Sequence, residues 1–97
     1  MRVISKKTLI DFWDKHKNSE EAFKAWYHEA KNASWKSFQD IKVRYKSADV
    51  LPDNRVVFNI KGNSYRLVVK IQYNKGIVYI RFVGTHTEYN KIDAETV

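Results

Sequence analysis

Near its end the sequence gathers side chains that can hydrogen-bond or move protons. In VGTHTEYN, Val83 to Asn90, these are Thr85, His86, Glu88 and Tyr89. An imidazole titrates near neutrality, so His86 could serve as general base or general acid. Tyr89 could donate or accept a proton, or stack on a base. Arg66, further back in the sequence, could hold a phosphodiester through charge-assisted guanidinium donors. RNA cleavage by attack of a 2′-hydroxyl on the adjacent phosphate needs a proton acceptor, a proton donor and cations for the developing charge. It needs no metal, and neither a metal nor any other cofactor is expected. The plain alternative is an ordinary strand end with polar residues facing water.

Composition narrows the partners. The 97 residues suffice for one domain, 1–97, and are too few for two. Hydrophobic residues make up 43%, enough for a real core. With no Cys, disulfides and Cys-based zinc sites are excluded, and a reducing cytoplasm fits. No apolar run reaches membrane-spanning length and no signal-peptide core opens the chain, so no membrane association is expected. Lys and Arg outnumber Asp and Glu 18 to 11, a net charge of +7. That balance favours a polyanionic partner.

The elements that must position these groups follow from periodicity. MRVIS is a short β-prone start. SKKTLIDFWDKHK reads as a helix capped by Ser5, with Leu9, Ile10 and Trp13 on one stripe. NSEEAFKAWYHEAKNA reads as a second helix, capped by Asn18 with Glu21 three residues on. Its stripe of Phe23, Trp26, Tyr27 and Ala30 is core; His16 reads as structural and His28 as solvated. In residues 34–54, FQDIKVRY fits a helical turn or a short strand, and ADVLPDN is turn chemistry. RVVFNIK, SYRLVVKIQYN and GIVYIRFVGTH are β-runs. Gly62-Asn63 and Lys75-Gly76 would join them as two-residue turns into an antiparallel meander. The fold class is α+β, with two N-terminal helices packed on an antiparallel sheet.

Two-residue turns fix a register. Lys61 paired with Ser64 sets Asn59 opposite Arg66 and Val57 opposite Val68. Asn74 paired with Ile77 sets Lys70 opposite Arg81, Val68 opposite Val83 and Arg66 opposite Thr85. Alternation then places Val56, Phe58, Ile60, Tyr65, Leu67, Val69, Ile71, Tyr73, Val78, Ile80 and Phe82 against the helices. The other face carries Arg55, Asn59, Lys61, Arg66, Lys70 and Arg81 on an apolar floor. A solvated face usually mixes both signs, whereas this one holds five cations and no carboxylate. Opposed Lys70 and Arg81 would repel unless an anion lay between them. Arg55, Asn59, Lys61, Lys70 and Arg81 are therefore the candidate substrate-binding set, with Arg66, His86 and Tyr89 as the candidate catalytic set.

VFNIKGNSYRLVVKI followed by VYIRFVGTHTEYNKID resembles the HigB toxins of type II toxin–antitoxin modules, within the RelE/ParE-like superfamily. The resemblance covers at least residues 55–93, and the paired N-terminal helices agree with it. It implies a RelE-like toxin fold and an endoribonuclease, an mRNA interferase that in many relatives cuts mRNA on the ribosome. It implies a cognate antitoxin, typically with a helix-turn-helix domain, and so a toxin–antitoxin hetero-oligomer. It places Arg66 at the scissile phosphate, a proton-handling role at His86, and chemistry or stacking at Tyr89. Asn90 stands where members often carry Asp, and Val57 and Asn59 stand where relatives often carry lysines. His86 is the first choice of general base and Tyr89 the next.

Two other readings compete. One is the same fold poisoning a topoisomerase without cutting RNA, though such a toxin needs no acid–base group. The other is a non-catalytic RNA-binding module. A double-stranded-RNA-binding domain also has three strands, but it begins with one helix and ends with another. Here two helices come first and only about eight residues follow Tyr89, too few for a long packing helix.

Overall fold

Aromatic side chains at helical spacing and β-branched runs at strand spacing meet in one core. The structure, a computed structural model, describes residues 1–97. The first helix, α1 (Lys6–Lys15), buries Leu9 and Trp13; the second, α2 (Glu20–Asn32), buries Phe23, Trp26 and Ala30. A third, α3 (Phe38–Arg44), forms where the sequence left helix and strand open, and it anchors through Ile41. Phe58 is fully buried beneath α2, the link to α3 and the residue that ends α3. Its ring meets Trp26 at 5.4 Å and Tyr45 at 5.0 Å edge-on, and Trp35 at 6.2 Å stacked. Burying one such ring contributes ~1.5–3 kcal/mol.

The sheet is mixed, which corrects the purely antiparallel expectation. Its strands are β1 (Arg2–Ile4), β2 (Asp49–Leu51), β3 (Arg55–Ile60), β4 (Tyr65–Gln72) and β5 (Ile77–Thr85), ordered β1-β5-β4-β3-β2. The central three form the expected meander, β2 adds an antiparallel edge, and β1 runs parallel to β5. The helix starts also differ from expectation. Ser5 sits at φ 74 with no side-chain cap bond. Asn18 does not cap α2, which starts from a 3₁₀ turn at Lys17–Ser19. Instead the Asn18 Oδ1 accepts from the Tyr65 hydroxyl at 2.6 Å, and its carbonyl accepts from Lys61 Nζ at 2.8 Å.

The β3–β4 register holds as expected, with Asn59 opposite Arg66 and Val57 opposite Val68. The β4–β5 register does not. A 3₁₀ turn over Tyr73–Lys75, closed by Gly76 at φ 67, replaces the two-residue turn, so Gln72 pairs with Ile77. Further along, Val69 faces Ile80 and Val68 faces Phe82, leaving Arg81 unpaired as a β-bulge. Lys70 therefore lies opposite Tyr79, and Arg66 opposite Gly84. The extra residue inverts the alternation beyond it. Val83 packs with the core beside Leu67, while Phe82 crosses to the second face with Val68.

Candidate active site

The second face carries its site at the end where the β3–β4 hairpin meets the close of β5. Asn59, Arg66 and Gly84 form one row across three strands. The Arg66 side chain is half-buried, with Nη1 donating to the Asn63 carbonyl at 3.1 Å. The hairpin thus holds the base of the guanidinium and leaves its other donors to a ligand.

Beyond Thr85 the chain makes one helical turn, α4 (His86–Tyr89). A single turn has little stability alone, and here a reciprocal cap fixes it. Thr85 Oγ1 accepts from the Glu88 amide at 3.1 Å, and Glu88 Oε1 accepts from the Thr85 amide at 2.8 Å. The Thr85 amide, and next the hydroxyl, hold the Glu88 carboxyl below its usual value. Glu88 is therefore a structural anion of the turn. The His86 amide also donates to the Ser64 carbonyl at 3.2 Å, tying the turn to the β3–β4 hairpin.

On that turn Tyr89 is half-buried, its ring centroid 6.4 Å from that of Phe82 and 5.7 Å from the Arg66 guanidinium carbon. The contact is a cation–π approach. His86 is exposed at the start of the same turn, with no side-chain hydrogen bond inside the chain. An anion gripped by Arg66 would therefore lie beside a phenol and close to the turn that carries an imidazole.

Gly84 matters for its missing side chain. Its backbone is ordinary for β-structure, but a Cβ there would lie 2.6 Å from Phe82 Cζ and 3.1 Å from Glu88 Oε1. Glycine supplies room for the Phe82 ring and the capping carboxylate.

The five candidate binding residues do not gather around Arg66. Asn59 lies next to it, with Nδ2 donating to the Ser47 carbonyl at 3.1 Å. Lys61 is held at the hairpin by Asn18. Lys70 pairs with Asp53 at 2.8 Å, so the face does carry a carboxylate, and Lys70 holds Asp53 below its usual value. Arg55 is 6% exposed, and its Nη1 donates to the carbonyls of Ala94 and Val97. Arg81 Nε donates to the same Val97 oxygen at 3.1 Å. These two arginines draw residues 94–97 across the sheet. The open basic floor read from alternation is therefore partly covered, and the supposed Lys70–Arg81 repulsion is absent.

Sequence reasoning missed the Thr85–Glu88 cap, although T-x-x-E is a capping-box pattern. It missed Phe82 as the backing of Tyr89 because a bulge leaves no such pattern. His16 has the structural place expected, stacked on Phe12 at 4.3 Å and 6.0 Å from the Tyr65 ring.

Comparison with known proteins agrees with this architecture. Residues 19–92 match the model of the HigB toxin family, described as the RelE-like toxic component of a toxin–antitoxin system. Curated relatives include the mRNA interferase toxin HigB of Escherichia coli K12. It is 29% identical over 92 residues, covering 93% of this chain and 88% of the relative. The mRNA interferases HigB of Escherichia coli O157:H7 and Shigella flexneri match over the same shares at the same identity. With a capped His–Tyr turn set against a sheet arginine and a family match spanning most of its length, the chain belongs to the HigB toxins, the RelE-like toxic components of toxin–antitoxin systems.

Proposed function

We propose that this toxin is an endoribonuclease that cleaves mRNA, acting in the cytoplasm on message engaged by the ribosome. The observation that carries the reading is the approach of Arg66 to Tyr89, on a turn that also bears His86. The curated relatives are named mRNA interferases, which supports the same substrate.

In the proposed reaction Arg66 holds the scissile phosphate and compensates charge on its non-bridging oxygens. The 2′-oxygen forms a bond to phosphorus while the bond to the 5′-oxygen breaks. One of His86 and Tyr89 accepts the 2′-hydroxyl proton, and the other protonates the departing 5′-oxygen. The products are a 2′,3′-cyclic phosphate and a 5′-hydroxyl, so atoms and charge balance without a co-reactant. Asn59 and Lys61, on the adjoining strand and hairpin, would contact flanking nucleotides on exchanging their bonds to the Ser47 and Asn18 carbonyls. The cognate antitoxin is proposed to carry a helix-turn-helix domain and to silence the toxin in a hetero-oligomer.

The test is tightly controlled expression with mapping of mRNA 5′ ends, beside Arg66→Ala, His86→Ala and Tyr89→Ala. Growth arrest with new 5′-hydroxyl ends, lost in the variants, is expected. Arrest with intact mRNA and broken chromosomes would overturn the reading in favour of a topoisomerase poison.

A further inference from the structure

A second concentration of charge lies at the opposite end of the molecule. β1, the C-terminal end of α2, residues 33–36 and the β4–β5 turn enclose an open cleft of about 750 Å³. Its cations are Arg2, Lys31, Lys36 and Lys75. None of the four makes an ion pair or a side-chain hydrogen bond. Five cations outside the cleft, Lys7, Lys17, Lys24, Arg44 and Lys70, each meet a carboxylate; what sets the cleft apart is that four cations without one line a single concavity. The cleft is lined by no Asp or Glu; Asp40, bound to the Lys36 amide at 2.8 Å, stands outside the lining.

Two of the walls are tied together. The Arg2 amide donates to the Gly76 carbonyl at 2.7 Å, fastening β1 to the turn that carries Lys75. Trp35 is 7% exposed and stacked on Phe58, so it forms floor and offers no free face. The Tyr27 ring is covered by Lys6 Nζ at 4.4 Å, which adds a fifth cation at the margin. The remaining lining aromatic, Tyr73, is half-buried against the core, whereas phosphates find four cations without a carboxylate partner. Such a surface grips a backbone without reading sequence.

We infer that this cleft is a second RNA-binding site, taking the sugar–phosphate backbone away from the bond that is cut. The inference rests on RNA being the toxin's substrate class. The cleft and the Arg66 site stand at opposite ends of β5, roughly 26 Å apart at ~3.3 Å per residue. The cleft also opens on the helix side. It therefore holds a different stretch of RNA from the nucleotides at Arg66, as a folded RNA or a long message provides.

The test uses the full chain and a fluorescent, fully 2′-O-methylated RNA of about 20 nucleotides, longer than the ~4–16 that one single-strand groove covers. Lys31→Ala/Lys36→Ala/Lys75→Ala should bind at least about tenfold more weakly at moderate salt. Its slope of log affinity against log salt should fall by about 2, at ~0.7 per lost phosphate contact. A charge-matched control, Lys7→Ala/Lys15→Ala/Lys46→Ala, should keep the parent's slope. Melting temperatures confirm that both variants fold, and the triple Glu reversal in the cleft should amplify the loss. Equal losses in cleft and control variants would overturn the site, leaving only general charge. Unchanged RNA binding with a weakened antitoxin complex would overturn it in favour of a protein-docking surface. Cleavage in a translation extract is scored separately. A parent that binds RNA but cuts none would fail the enzymatic reading, while the salt slopes would still decide the cleft.

Discussion

Arg66 and Tyr89 lie 23 residues apart in sequence, and their charged and aromatic groups come within 5.7 Å. One is fixed by a sheet and the other by a single capped turn. The turn is held by its cap, by the His86 amide on Ser64, and by the room that Gly84 leaves for Phe82.

Tyr89→Phe keeps the ring against Arg66 and Phe82 and removes only the hydroxyl. Single-turnover cleavage is expected to fall about 10²-fold or more, the range for a lost acid–base group, with RNA affinity nearly unchanged. Tyr89→Ala should lose affinity as well, since stacking is worth ~1–3 kcal/mol per base. Equal cleavage by parent and Tyr89→Phe would assign the phenol to packing alone.

Arg66→Lys retains the charge but loses the planar fork and the reach to the Asn63 carbonyl. An ammonium at a site of this kind is a poor substitute. Cleavage is expected to drop by about 10²-fold, comparable to removing one oxyanion donor, with little change in melting temperature. Full activity of the lysine variant would show that the site needs only a point charge.

Gly84→Ala is predicted to destabilise by ~1–3 kcal/mol, the usual cost of overpacking, because its Cβ meets Phe82 at 2.6 Å in an ordinary backbone conformation. Urea denaturation measures this. Gly84→Ala/Phe82→Leu should recover much of the loss, whereas a backbone cause would leave it unrepaired.

Thr85→Val removes the cap oxygen and should cost ~0.5–2 kcal/mol. Glu88 adds a pH signature. Its folded carboxyl titrates below its unfolded value, so its contribution is complete above the unfolded value and is lost as pH falls through the folded one. The melting-temperature gap between parent and Glu88→Gln should therefore narrow below about pH 4, near the ordinary carboxyl value. A gap that is constant with pH would show that the charge contributes nothing.

Much of the fold could be read from pattern alone. The stripes Leu9–Trp13 and Phe23–Trp26–Ala30, and the β3–β4 register through Gly62-Asn63, all follow from local rules. The rest depends on choices that local rules do not make. Whether the β4–β5 turn takes two residues or a 3₁₀ turn changes the pairing, and one added residue at Arg81 changes it again. Arg66 still lies near the turn that carries His86 and Tyr89, because beyond the bulge the pairing differs from the expected one by a single residue. Arg55 and Arg81 do not form the expected free floor, since residues 94–97 lie over them. Nothing in RVVF or IRF foretells that covering.

The bulge also makes β5 a strand with two parities. Up to Ile80, inside and outside alternate in one phase; from Phe82 onward the phase is reversed. Arg81 is the residue at which the two phases meet: Ile80 and Phe82 stand two apart in sequence yet on opposite faces. Deleting it would leave Phe82 outward and Val83 inward, since successive residues of an unbroken strand take opposite faces. A HigB toxin one residue shorter here would therefore keep the backing of Tyr89 and lose only the bulge.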